Sequence, residues 1–126
     1  FVGLLLYWEA EDFRYVEHFA IAPQLRGQSW GSRALREFLA EGDPVVLEID
    51  PPEDPVSRRR KGFYEGLGFV SNPWPHIHPP YRLEFSGHAL EVMTFPGGWD
   101  EGQYRRFARY LDETVMADRP QKVAGA

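Results

Sequence analysis

A chain of 126 residues with 43% hydrophobic and 15% aromatic side chains carries enough apolar surface for one packed domain and is neither disordered nor fibrous. Its 14 Lys and Arg against 19 Asp and Glu leave a net charge of -5, which argues against a nucleic-acid partner because such binding needs a basic footprint. No apolar run approaches the roughly 20 residues of a membrane-spanning helix, and with no cysteine in the chain, disulfides, thiolate nucleophiles and cysteine-based zinc sites are excluded.

Phe1 to Trp8, rich in Leu and aromatics, predicts a strand buried on both faces. It starts at the first residue without a Met or a charged leader, so the expectation is a domain lacking its N-terminal part. Glu9 to Asp12 is a hairpin connection into a second strand, Phe13 to Ile21, whose alternation sets Phe13, Tyr15, Glu17, Phe19 and Ile21 on one face and Arg14, Val16, His18 and Ala20 on the other. Pro23 stops it. A polar, glycine-punctuated loop then leads into a helix with the stripe Trp30, Ala34, Leu35, Phe38 and Leu39, ended by Gly42 and Pro44.

Val45 to Asp50 is a β-branched strand, and Val56 to Leu67 a second helix with Gly68 at its C-terminal cap. The prolines around Trp74 and between His78 and Tyr81 stiffen an extended segment that cannot be a central strand. Tyr81 to Phe85 and Ala89 to Phe95 are predicted strands flanking a turn at Ser86, Gly87 and His88. Asp100 and Gln103 have capping-box spacing, and Tyr104, Phe107, Ala108, Leu111 and Val115 form a helical stripe. The reading is a single α/β domain over 1–117, one sheet covered by helices, with 118–126 as a flexible tail.

Chemistry concentrates where the second strand passes into the first helix. Unpaired amides at a helix start, and the helix dipole, favour an anion there, and glycines let a phosphate approach the backbone. The run Arg26, Gly27, Gln28, Ser29, Trp30, Gly31, Ser32 has this form, but it is neither a P-loop nor a dinucleotide fingerprint, and a plain helix start remains the alternative. A second signal is Phe63-Tyr64-Glu65-Gly66-Leu67-Gly68-Phe69, a helix that carries a tyrosine and closes on glycine before a strand.

The strand ending Phe19-Ala20-Ile21, the loop Gln24-x-x-Gly27-x-Ser29 and the Tyr64 helix together resemble the GNAT superfamily of N-acetyltransferases over about Phe1 to Phe95. Ser29 departs from the family's second Gly or Ala. The resemblance implies a mixed, mostly antiparallel central sheet flanked by helices, without the family's first strand and first helices. It implies acetyl-CoA as acyl donor, a small-molecule or peptide amine as acceptor, and a cytoplasmic enzyme. The backbone of Phe19, Ala20 and Ile21 would pair with the pantetheine arm, and amides from Arg26 to Ser32 would hold the pyrophosphate. Tyr64 would protonate the leaving thiolate. Ser57 stands at the polar position seven residues before that tyrosine, which is often Asn in the family.

Other residues admit two readings each. Arg60, in the basic run Arg58 to Lys61, is either a solvated charge or a phosphate partner. Glu17 is either a surface carboxylate or the base that takes the acceptor's proton, with His18, Glu48 and Asp50 as comparable candidates. His76 and His78 could form a metal pair, but no cysteine supports it, and a proline-stiffened substrate or packing loop is preferred, one that could shape the acceptor pocket. Trp8, Trp74 and Trp99 are assigned to core or interface, and the first strand's edge to a possible homodimer contact. The rival to an enzyme is a catalytically weak or inactive module that binds coenzyme A or a protein partner.

Overall fold

The computed structural model describes residues 3–21, 30–78 and 88–116. Strands β1 (Gly3–Glu9) and β2 (Arg14–Ile21) form an antiparallel hairpin; helix α1 (Trp30–Leu39) crosses over to β3 (Val45–Ile49), which runs parallel to β2. Helix α2 (Pro55–Gly66) follows, then the short strands β4 (Val70–Ser71) and β5 (His76–His78), the long strand β6 (His88–Phe95) and helix α3 (Glu101–Tyr110), which continues as a π-helical turn over Leu111–Val115. The sheet order is β1-β2-β3-β6-β4, with β5 also pairing β6, so one parallel contact sits in an otherwise antiparallel sheet. This is the mixed, helix-flanked sheet expected from the sequence.

The alternation of β3 explains the layering. Val45, Leu47 and Ile49 join the cluster of Leu35, Phe38 and Leu39 from α1 and Tyr64 from α2, whereas Val46 joins Phe13, Tyr15, Phe107, Leu111 and Val115 under α3. Burial of both faces accounts for the near-continuous apolar run of this central strand. At the far end of the β1–β2 hairpin, Arg14 lies 9% exposed over the rings of Tyr7 and Phe38 and pairs with Glu41 (2.7 Å), Glu9 (3.1 Å) and Asp43 (3.1 Å). The hydrogen bond with Glu41, opposed by burial, raises the guanidinium pKa further, so this tie between the hairpin and the segment that follows α1 is permanently charged.

Local signals were followed closely at the helix ends. Pro55 opens α2 behind the Asp54 cap, and at the other end the Phe69 and Gly68 amides donate to Tyr64 and Glu65 carbonyls (3.1 and 3.0 Å) with Gly68 at φ +104°. Asp100 and Gln103 make the reciprocal capping box that starts α3.

Three expectations are corrected. β1 is not buried on both faces: it is an edge strand, with Leu4, Leu6 and Tyr7 44–46% exposed. His88 is the first residue of β6, not a turn residue, and the strand seen beside it is His76–His78. A β-bulge also interrupts the simple alternation of β2. Leu6 pairs with His18 but Tyr7 with Val16, so Glu17 is the extra residue. Phe19 therefore faces α2, stacked on Phe63 (6.4 Å), and not with Tyr15. The predicted strand Tyr81–Phe85, the turn residues Ser86 and Gly87, and the tail 118–126 lie outside the described residues.

Gly68 gives a test of this frame. A Cβ there would meet the Phe95 ring at 3.0 Å as well as the positive φ. Gly68→Ala should lower unfolding free energy by about 1–2 kcal/mol, read by urea denaturation, because L residues are strained in that region. An unchanged midpoint would contradict the cap geometry.

Candidate active site at the parting of two parallel strands

β2 and β3 are paired only from Arg14↔Val45 to Val16↔Leu47. β3 runs on to Ile49 while paired with β6, and β2 runs on to Ile21 while paired with β1. Among the described residues, the β3-facing side of β2 therefore has no strand partner beyond Val16, where the bulge turns the strand away. Phe19, Ala20 and Ile21, predicted to bind a pantetheine arm, lie on that stretch. A free strand edge of this kind offers amides and carbonyls to an extended ligand.

α1 connects two parallel strands and so begins at the end where they part; Trp30, Gly31 and Ser32 are its first three residues. α2, leaving the C-terminal end of β3, begins on the same side. The carboxyl ends of parallel strands, with helix starts gathered there, are where open α/β sheets bind ligands. Arg26, Gly27, Gln28 and Ser29 lie outside the described residues.

Tyr64 is 8% exposed in the cluster beneath α1 and α2, its ring edge-on to Phe63 and Phe69. Its hydroxyl makes no hydrogen bond among the described residues. Burial raises its pKa above 10.0 against the lowering influence of Arg60, so it remains a protonated donor at neutral pH. Arg60 itself reaches Asp50 at 3.7 Å, with both side chains half exposed, which sets the guanidinium over the end of β3. Ser57 is buried and committed to the helix start: its amide and hydroxyl donate to Asp54 at 2.8 and 3.0 Å.

The position of Tyr64 depends on a tie one turn earlier. Lys61 donates to Glu91 of β6 at 3.0 Å, and the Ser71 hydroxyl donates to the same oxygen at 2.6 Å. Burial pushes the Glu91 pKa up, but these two donors outweigh it and hold the carboxyl below its ordinary value of 4.5.

On the opposite face the bulge brings Glu17 toward α3, where the Trp8 indole donates to its carboxylate at 3.2 Å. Leu6 falls between two residues that face α1 and α2, so its partner His18 shares the α3 face with Glu17; the two are not on opposite faces as the alternation predicted. Glu48, between inward-facing Leu47 and Ile49, also points to this side. It accepts from the Tyr15 hydroxyl and lies 2.5 Å from His76 Nε2, while His76 Nδ1 lies 2.8 Å from the Tyr104 hydroxyl. The Glu48 and His76 side chains are 5% and 1% exposed. With both ring nitrogens so engaged, His76 does not present a nitrogen for the metal pairing with His78. Trp8 and Trp99 pack on the α3 cluster, and Trp74 stacks on Tyr104 (6.0 Å), in line with core roles.

Sequence reasoning named Glu48 only as one of several bases and missed its network. The signal was present: a lone carboxylate in the apolar run Val45-Val46-Leu47-Glu48-Ile49 has to find a buried partner.

Comparisons with known proteins accord with this geometry. No family model matches the sequence. A solved structure from Bacteroides thetaiotaomicron, described as an acetyltransferase of the GNAT family, is 32% identical, with a TM-score of 0.83 over 91% of this chain and 66% of that one. The Escherichia coli ribosomal-protein-S18-alanine N-acetyltransferase shares the fold at a TM-score of 0.55 and 19% identity, over 79% of this chain and 63% of that one. YjbC of Bacillus subtilis, also described as an acetyltransferase, is 25% identical over 64 residues, 49% of this chain and 33% of that one. The chain thus spans about two thirds of the length of the two solved structures and one third of YjbC.

The Glu91 tie predicts acid sensitivity. A carboxyl whose folded pKa is depressed stabilises the fold above its unfolded value and loses that contribution as pH falls through the folded one. The stability margin of the wild type over Glu91→Gln should be full above about pH 4.5 and vanish at lower pH in urea titrations. A margin that grows on acidification would contradict the arrangement.

Proposed function

Because the chain belongs to the GNAT superfamily of acetyltransferases, we propose that it transfers an acetyl group from acetyl-CoA to a primary amine by direct attack, with Tyr64 as the acid. The observation that carries this reading is the parting of β2 from β3 beside the starts of α1 and α2, with a buried phenol on the helical face. The free edge at Phe19, Ala20 and Ile21 fits an extended pantetheine chain, and an amide of that edge would also steady the carbonyl oxygen as it becomes an oxyanion. Amides of Trp30, Gly31 and Ser32, preceded in sequence by Arg26 to Ser29, suit the pyrophosphate. Arg60 would exchange Asp50 for a phosphate oxygen. Ser57 supports the start of α2 in this scheme, its contact with the ligand limited to what its Asp54 bond leaves free.

The amine nitrogen, once neutral, forms a bond to the thioester carbon. As the C–S bond breaks, the departing sulfur takes the Tyr64 proton. The proton that the nitrogen then sheds replaces the one Tyr64 gave, so the products are an amide and a thiol. No helix among the described residues is long and apolar enough to cross a membrane, and we assign the reaction to the cytoplasm on the family resemblance.

The test combines calorimetric titration with coenzyme A and an acetyl-transfer assay over a panel of amines. Tyr64→Phe should lower kcat about 100-fold while coenzyme A affinity stays within about threefold, since the hydroxyl acts late in the reaction. Undiminished turnover would remove Tyr64 as the acid. Coenzyme A binding by the wild type without any transfer would favour the inactive-module alternative, and absence of binding would overturn both.

A further inference from the structure

Glu48 is the first residue of β3 beyond its pairing with β2, and its side chain points to the face opposite Tyr64. Its carboxylate opens a hydrogen-bonded chain that runs through a nine-tenths-buried histidine to a tyrosine on another helix. Glu48 Oε2 meets His76 Nε2 at 2.5 Å, and His76 Nδ1 meets Tyr104 Oη at 2.8 Å. The Tyr104 hydroxyl reaches on to the Pro75 carbonyl at 3.3 Å, and its ring is only partly buried. Burial, then Glu48 and Asp112, hold the Tyr104 phenol above its ordinary range, so that its proton is retained. The chain therefore leads from the parting of the strands to the surface of α3.

Its surroundings are fixed. The Tyr15 hydroxyl from β2 donates to the other Glu48 oxygen, Phe107 lies parallel to the His76 ring at 5.8 Å, and Trp74 covers Tyr104 at 6.0 Å. Among the described residues, the titratable and charged groups that bear on it include Tyr15 of β2, Tyr104 of α3 and Asp112 of the π-helical turn, with Glu17 and His18 on the same face of the sheet. Stability alone gives no reason to keep such a pair, because a buried carboxylate and imidazole are commonly replaceable by apolar side chains of similar volume without loss.

Resting on the transferase reading above, we propose that Glu48, His76 and Tyr104 form the relay that takes the proton from the acceptor's ammonium group. The N–H bond breaks with its electron pair left on nitrogen as the attacking pair. The proton passes, directly or through a water, to Glu48 and is shared with His76 Nε2. The imidazole releases its Nδ1 proton to the Tyr104 oxygen as that hydroxyl gives its own proton to solvent, so one proton leaves for each ammonium neutralised. The relay lies on the α3 face and Tyr64 on the α1–α2 face, which keeps deprotonation of the nucleophile apart from protonation of the leaving sulfur. Glu48 is the proton acceptor in this scheme, and His76 and Tyr104 act through it.

The test uses acetyl-CoA with paired acceptors of matched shape: alkylamines, which are ammonium ions at neutral pH, and the corresponding hydrazides, which are not. Glu48→Gln and His76→Gln should lower kcat/KM for the alkylamine about 100-fold, at least about tenfold more than for the hydrazide, and should move the acid limb of the alkylamine pH profile. Tyr104→Phe, which keeps the ring on Trp74, should show the same preference to a smaller degree and serves if the other variants do not fold. Equal losses on both acceptors, or no loss on the alkylamine, would overturn the relay. A wild-type chain that acetylates neither class would instead overturn the transferase reading itself.

Discussion

The structure turns on a competition for the edge of β2. A parallel pair normally continues as long as both strands do, yet here pairing stops at Val16↔Leu47 although each strand continues on its other side. The cause is local. Glu17 is inserted opposite the Leu6–Tyr7 step, and a bulged strand bends and twists more than a regular one. The bend carries Phe19 onto Phe63 and the α2 face, and apolar packing there holds the strand away from β3. One extra residue thus exposes a row of backbone groups next to the start of two helices.

The two hydrophobic clusters hold the opened strands from either side. Under α1 and α2 the contacts are aliphatic and aromatic around Tyr64, with the Lys61–Glu91–Ser71 tie fixing α2 against β6. Under α3 the aromatic cluster closes over a polar core, Tyr15–Glu48–His76–Tyr104. A buried network is tolerated when its members are satisfied, and this one is supplied from β2, β3, β5 and α3 together. The sheet therefore separates an apolar compartment around the Tyr64 phenol from a polar compartment with a carboxylate and an imidazole.

Much of this layout could be read from residue patterns. Helix boundaries followed from Gly68 and the Asp100–Gln103 box because capping chemistry is local. The buried character of β3 followed from its β-branched run. What the sequence hid was non-local. The β2 bulge is defined only by its register with β1, so strict alternation placed Phe19 and His18 on the wrong faces. β1 looked doubly buried from its leucines, but edge position is set by sheet order, not by composition. The Glu48–His76 contact joins positions 28 residues apart through β6, a strand that comes later in the chain than either.

That last arrangement ties α3 to the strand junction as well as to the core. β5 is a three-residue strand on the rim of β6, too short to fix a side chain by its own ladder. His76 is held from above by Phe107 and Tyr104, and Trp74 stacked on Tyr104 closes the proline-bounded segment that precedes it. Asn72 anchors the start of that segment, donating to the Val92 carbonyl and to Thr94 while accepting from the Trp99 amide just before α3. The helix at the C-terminal end of the fold thereby sets the geometry of a histidine two strands away from the opening. A change in the seating of α3 would reach the carboxylate at the strand junction through that ring, with no alteration to the strands themselves.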